Sequence, residues 1–343
     1  MADGCNNGVD LGYSGPRHIS IMPPNHTSAL QNRDDTTALL LKSVLKGHTV
    51  AWFTKPPFRY FICNPVGLVP KSGAEPPWRV IEDPSALWRG DTLPSVFAGL
   101  SSTDFTSQAK FSYDSIDEAF RAVWTMGKGA YLLVFDKKGA FTTIPVRPQD
   151  RHLLGIHWPG LGFAYGAVCK FGFRASSYRW ELYGGLFTSL LRERWGVWIT
   201  CRWVDDYLLV ASLCRTEALR LAALVAKAAR RYNFILAEDK FVLAQTLLYL
   251  GYWFDTNLMT VSIPLQKRTD AIQTLASLIA TPSWGKARLE SILGIVFYFS
   301  RLLRPLWGLL GRLLKLKASR TASLRPSPQT FVDLKLLRSI LKA

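Results

Sequence analysis

The sequence predicts an α+β fold, with a core of mixed strands and helices followed by a module built of helices alone. Two observations carry this reading. Up to Pro264, strand-like apolar runs such as AYLLVFD, VWITCRWV and YLLVAS alternate with amphipathic helical stretches, whereas from Leu265 onward the apolar spacing is mostly helical. In addition, 343 residues with a hydrophobic fraction of 48% and twelve tryptophans are enough for a real core, so disorder is not the expectation.

Taken in order, residues 1–34 are rich in Gly, Pro, Asn and Asp and read as an irregular lead-in. Thr36 to Leu45 is spaced as a short helix, and short strands and turns are expected from WFTKPPFRYF through PPWRVIEDPSALW. Ser112 to Met126 has helical spacing, with Asp114 or Ser115 as its N-cap, and leads through Gly127-Lys128-Gly129 into a strand ending at Asp136. FTTIPV reads as strand, as do HLLGIHW and FAYGAVCKF around a Gly-rich turn. Ser176 to Arg194 is helical and stops before Gly196. VWITCRWV and YLLVAS are separated only by Asp205-Asp206, which is hairpin spacing. An Ala/Leu/Arg-rich helix over Thr216 to Tyr232 follows, then strands in NFIL, LLYLGYWF and MTVSIP, and finally helices in QKRTDAIQTLASLIA, WGKARLESILGIVFYFSRLL and WGLLGRLLKLK.

Charge narrows the class of partner. The formal net charge is +17, and the segment from Trp284 onward carries twelve Lys/Arg against Glu290 and Asp333. A basic, helical C-terminal segment suits a polyanion, nucleic acid before any other. Five cysteines, odd in number and without a CxxC pair, argue against a disulfide framework and a zinc site and for a reducing compartment. No signal peptide is visible, and the longest apolar stretch, Ile292 to Phe299, is far too short to span a membrane.

The chemistry centres on three carboxylates. Asp205 and Asp206 lie side by side at the expected hairpin tip, where a divalent cation would relieve their mutual repulsion, hard oxygen ligands favouring Mg²⁺ or Mn²⁺; taken alone, the pair reads equally as ordinary turn chemistry. Asp136 ends a buried strand. An aspartate at one strand end beside an aspartate pair on a neighbouring hairpin is the layout of a two-metal phosphoryl-transfer site.

The ordered set FDKKGAF, FGFRASSYRWELYGGLF, WVDDYLLV, AEDK and LGYWFD resembles the palm motifs of reverse transcriptases. Upstream, FICNPVGLVPK and PPWRVIEDPS resemble the fingers motifs; downstream, LESILGIVFYFSRLLRP resembles the first thumb helices. GVDLGYSGPR and the stretch from SYDSIDEAF to LLGIHW are most similar to DIRS-like retrotransposons, which pair this enzyme with a tyrosine recombinase. The resemblance runs over roughly residues 8–317.

It implies a right-hand polymerase fold: a lead-in to residue 50, fingers over 51–128, and a palm over 129–263 with a fingers insertion near 147–170. A thumb over 264–318 and a connection or tail over 319–343 complete it. It implies an RNA-directed DNA polymerase that adds dNTPs to a DNA primer on an RNA or DNA template with two Mg²⁺ ions, Mn²⁺ being a substitute. Asp136, Asp205 and Asp206 match the metal ligands, Asp206 the lesser, and Lys240 the lysine that protonates pyrophosphate. Arg79 and Lys71 match the triphosphate contacts, Phe141 with Ala140 the steric gate, Gly172 the pocket glycine, and Leu250-Gly251-Tyr252 the primer grip. Four places depart from the pattern: Trp203 stands where tyrosine is usual, Cys169-Lys170-Phe171 lacks the usual Pro and Gln, Gly139 stands where many relatives carry a second acid, and the WRxxxD stretch continues as PSALW without the usual polar run. These keep open an alternative, a catalytically inactive nucleic-acid-binding relic or scaffold. No RNase H or recombinase pattern follows, so the expectation is a fragment, a truncated copy or a stand-alone module of a retrotransposon polyprotein.

Overall fold

The computed structural model of the chain describes residues 7–13, 15–71, 76–84, 113–281, 283–318 and 325–342. The predicted start at Ser112, the PSALW stretch after Pro84 and Cys5 lie outside the described residues.

Helix formation begins inside the expected lead-in. Helix α1 (Thr27–Gln31) is followed directly by α2 (Arg33–Leu45), which starts three residues before the predicted Thr36. The buried Thr36 hydroxyl donates to the carbonyls of Ala29 and Asn32, stitching the two helices, and Asp34 and Asp35 favour the helix N-terminus. Strands β1 (Thr49–Phe53), β2 (Val66–Pro70) and β3 (Trp78–Glu82) occupy the expected strand-and-turn region; β2 and β3 pair antiparallel with Val69 opposite Arg79. Helix α3 (Ile116–Met126) is capped by Ser115, whose hydroxyl accepts from the Asp117 N–H, and β4 (Tyr131–Asp136) follows.

FTTIPV is not a strand. Phe141–Thr143 forms a single 3₁₀ turn, and Pro145 and Val146 make only isolated bridges, to Val168 and Val9. The predicted strand in HLLGIHW starts at Gly155, because Pro148–Leu153 is a second 3₁₀ segment with the proline at its start. Strands β5 (Gly155–Trp158) and β6 (Gly162–Gly166) form the expected pair around Gly160, and α4 (Arg174–Trp195) ends where Gly196 takes φ +65°. There the Gly196 N–H reaches the Arg192 carbonyl and the Val197 N–H the Leu191 carbonyl, which satisfies the helix end.

Strands β7 (Cys201–Trp203) and β8 (Asp206–Ser212) flank a turn at Val204-Asp205, one residue earlier than the spacing suggested. Helix α5 (Arg215–Arg231) follows; NFIL then contributes one bridge, Leu236 to Lys137, rather than a strand. Strands β9 (Val242–Ala244), β10 (Thr246–Tyr249), β11 (Tyr252–Asp255) and β12 (Thr260–Ser262) precede α6 (Leu265–Ile279), α7 (Lys286–Ser300), α8 (Leu306–Lys317) and α9 (Pro328–Lys342). Helix α9 falls in the segment expected to be a connection or tail. Leu334, Leu337 and Leu341, at helical spacing, are buried with Leu275 and Leu278 of α6, so this segment completes a helical core.

The strands form sheets with the orders β1-β6-β5, β10-β11-β12, β2-β3 and β7-β8-β4-β9. The chain divides into two compact units. The first comprises residues 1–114, 136–207 and 224–238, the second 115–135, 208–223 and 239–343. In the first unit Ala29, Leu40, Val66, Leu68, Ile156, Trp158 and Ala164 make one core. In the second, the core lies among α6 to α9, with Trp284 and Leu289 buried in it.

Candidate active site

Asp136, Asp205 and Asp206 all belong to the first unit. Asp136 closes β4 and Asp206 opens β8, and these strands are neighbours in one sheet. Asp136 is buried, while Asp205 and Asp206 are half-buried at the hairpin.

The turn between them is unusual in its chemistry. Val204 has φ +55°, a left-handed conformation that a β-branched residue adopts at a cost of roughly 1–2 kcal/mol. The indole N–H of Trp180, from α4, donates to the Val204 carbonyl at 2.8 Å and holds it there. Beneath lies an aromatic cluster: Phe187 stacks on Phe234 at 3.8 Å, and Tyr207 meets both edge-on. Burial pushes the Tyr207 phenol far above its usual value.

Lys137, next to Asp136, is fully buried, with its ammonium 5.9 Å from the Trp180 ring and 5.4 Å from that of Phe234. Burial pushes its pKa down to about 8, against the opposing pull of Asp136. Trp180 thus touches both the segment after Asp136 and the turn before Asp205. On the β7 side, Arg202 pairs with Glu181 of α4, both largely buried, and its backbone N–H bonds Asp114. Trp203 rests against Tyr113 at 5.0 Å and is partly exposed, so the departure from tyrosine is accommodated at the surface.

A second constellation of the same unit joins three of the expected substrate residues. The Arg79 guanidinium lies 4.5 Å over the Phe171 ring, and Phe171 meets Phe141 edge-to-face at 5.0 Å. Gly172 follows at φ +98°, and a Cβ there would stand 2.6 Å from the Glu82 carbonyl oxygen, so only glycine fits. The buried Lys170 ammonium pairs with Glu82 at 2.9 Å and donates to Thr49, pinning this stretch to β3 and β1. Ala140 is buried just ahead of Phe141, and Lys71 is exposed beyond β2, its N–H on the Pro77 carbonyl.

The remaining expected residues lie in the second unit. Lys240 is exposed at the end of the 3₁₀ turn Glu238–Lys240. Leu250 and Gly251, at φ +46° and +87°, form the turn between β10 and β11. The Tyr298 hydroxyl of α7 donates to the Gly251 carbonyl, the Tyr252 hydroxyl donates to the Tyr298 carbonyl at 2.8 Å, and Lys267 lies over the Tyr298 ring. Motif reading missed Trp180, Glu181, Phe171 and Tyr298. The signal for Trp180 was present, as the apolar face of α4 at Trp180, Phe187 and Leu191.

Among the described residues no three His, Cys, Asp or Glu side chains are grouped so as to hold a metal ion. Magnesium needs no such cage: it is held by one or two carboxylates and completed by water and substrate phosphates. Asp136 with Asp205 or Asp206 supplies hard oxygen donors of that kind, and the donor set fits.

A model of the family described as reverse transcriptase (RNA-dependent DNA polymerase) matches residues 92–254. The fold is that of the reverse transcriptase polymerases. Foamy viral protease-reverse transcriptase dRH in complex with double-stranded DNA superposes with a TM-score of 0.63 at 17% identity, covering 96% of this chain and 50% of that one. The foamy viral protease-reverse transcriptase with an RNA/DNA hybrid gives 0.61 at 17% identity, covering 96% and 39%. The same enzyme with double-stranded DNA gives 0.61 at 16%, covering 96% and 60%. The chain therefore spans about half the length of these relatives. No curated protein matches the sequence. Among the described residues no helix is long and apolar enough to cross a membrane.

Proposed function

We propose that the chain is an RNA-directed DNA polymerase of a DIRS-like retrotransposon, adding dNTPs to the 3′-hydroxyl of a primer held on an RNA or DNA template. The observation that carries this reading is the placement of Asp136 and Asp206 at the ends of neighbouring strands, with Asp205 in the adjoining turn. Asp136 and Asp205 would hold Mg²⁺ together with the triphosphate, and Asp206 would be the weaker ligand. When bound, the ions would activate the attacking hydroxyl and neutralise charge on the phosphates.

The chain's own residues contribute position and charge. Arg79, its guanidinium plane resting on Phe171, would present its outer N–H groups to the triphosphate without first losing rotamer freedom. Phe141, braced on Phe171, would lie under the sugar and exclude a 2′-hydroxyl. Gly172 allows the chain to pass close to β3 beside the nucleotide. Lys240 would give a proton to pyrophosphate, and the turn at Leu250-Gly251, locked by Tyr298, would hold the primer end. In this reading residues 51–128 are fingers, 129–263 palm and 264–318 thumb, and RNase H and recombinase activities would come from other domains.

Primer extension on RNA and DNA templates with Mg²⁺ and then Mn²⁺ tests this. Asp205→Asn should lower incorporation about 1000-fold, since a lost metal ligand removes several kcal/mol of transition-state stabilisation. Wild-type synthesis by that variant would overturn the assignment, and an inert wild-type chain that still binds primed template would favour the scaffold reading.

A further inference from the structure

The first unit contains a cavity of about 1750 Å³ that none of the residues assigned above to catalysis, nucleotide or primer lines. Its walls carry Arg17, Arg59, Arg147, Arg151 and Arg179, with Asp10 the one acidic residue on the lining among the described residues. Five guanidinium groups around one space is a costly arrangement unless something anionic shares it.

Three of the arginines are fixed by an internal frame. Asp150, fully buried, accepts from Arg17 at 2.7 Å, from Arg147 Nε at 2.9 Å and from the Leu11 N–H at 2.9 Å. Burial alone would raise its carboxyl, but these donors hold it below the usual range, so it stays an anion that anchors both side chains. Arg147 also pairs with Asp10, and Arg179 grips the Asp10 carbonyl through two nitrogens. The other two are far less committed. Arg151 gives one N–H to the Val146 carbonyl, and Arg59 is exposed, its guanidinium 5.4 Å over the Tyr60 ring. His18 meets the same ring edge-on at 5.2 Å, making a cationic and aromatic wall.

We infer that this cavity is a second nucleic-acid site, a groove that takes a single strand apart from the catalytic aspartates. Size, charge and surface each exclude alternatives. Pockets for one small ligand run to about 300–1000 Å³, and this space is larger. Guanidinium forks suit phosphate oxygens, and a Tyr60 face beside Arg59 suits an unpaired base, which a duplex does not offer. Binding of this kind is sequence-tolerant and salt-sensitive.

The test uses the full chain and a fluorescein-labelled oligo(dT) or oligo(U) of about 12 nucleotides. Anisotropy is read over a salt series with excess unlabelled blunt primer–template duplex present to occupy the polymerase cleft. Arg59→Ser with Arg151→Ser should weaken binding about tenfold or more and flatten the logarithmic salt slope by roughly 1.4, two phosphate contacts' worth. A control removing two exposed charges at the C-terminal end of α2, Lys42→Ser with Lys46→Ser, should leave affinity within about twofold, a difference of 0.4 kcal/mol or so. Tyr60→Leu, which keeps bulk but loses the stacking face, should weaken binding with the salt slope unchanged. Ultraviolet crosslinks from a 4-thiouridine oligonucleotide should map to Phe58–Tyr60. Unchanged affinity in the arginine variant, equal loss in the lysine control, or crosslinks confined to other segments would each overturn the proposal. Extension of a short primed template should be unaltered in all variants; if the wild-type chain extends nothing, the polymerase reading fails while the binding arms still decide this one.

Discussion

Two hairpin turns of this molecule face the same geometric demand and meet it with different residues. Between β10 and β11, Leu250 and Gly251 both take positive φ, the pattern of a tight hairpin turn with glycine at one of the demanding positions. Between β7 and β8, positive φ falls on Val204 alone, where a turn of that kind prefers glycine, and the next position is Asp205. The first turn is stabilised by its own chain chemistry and trimmed by Tyr298. The second is stabilised from outside, by Trp180 on the Val204 carbonyl and by the Arg202–Glu181 pair at the base of β7. The contrast shows where conformational preference gave way: the strained turn is the one that carries the aspartates, as expected of a site over-determined by its surroundings.

Breaking the external support should have the largest effect. Glu181→Ala leaves the Arg202 charge largely buried and unpaired, and should cost about 3 kcal/mol of stability with a matching fall in extension, read by denaturant titration and primer extension. Trp180→Phe keeps an aromatic ring and removes the donor to Val204. About 2 kcal/mol should be lost, and kcat should fall more than nucleotide KM rises; an unchanged kcat would mean that the turn holds itself.

The turn between β10 and β11 should answer mainly to backbone chemistry. Gly251→Ala forces a side chain into φ +87° and crowds Lys267, at about 1.5 kcal/mol, with thermal melting as the readout. The smallest effect has the opposite sign. Val204→Gly lifts the left-handed cost but adds unfolded-chain freedom, so a net gain of about 0.5 kcal/mol is expected together with lower activity as the tip loosens. A destabilised Val204→Gly would show that the valine side chain, not the turn, is what the fold needs.

Much of the candidate site is legible in the linear chain, and the reasons are local. Asp136 was readable because an apolar strand ends on it, and Asp205-Asp206 because two apolar runs flank them; Gly172 and Gly251 were marked by their motifs. The hairpin turn falls one residue earlier than the Asp-Asp dipeptide predicts, because the tertiary bond to Val204 overrides that local preference. FTTIPV and NFIL have strand composition but lack ladder partners, which no local pattern reveals.

The sequence by itself determined the order of mixed core and helical module, the carboxylate set and the basic character of the chain, because periodicity and charge are properties of neighbours along the backbone. Only the tertiary structure decided the rest. It laid Arg79 on Phe171 and Phe171 on Phe141, set Trp180 under the aspartate turn, folded residues 328–342 into the helical core and drew five distant arginines around one cavity. Those contacts join positions tens of residues apart, where packing and hydrogen-bond satisfaction, rather than local preference, select the partner.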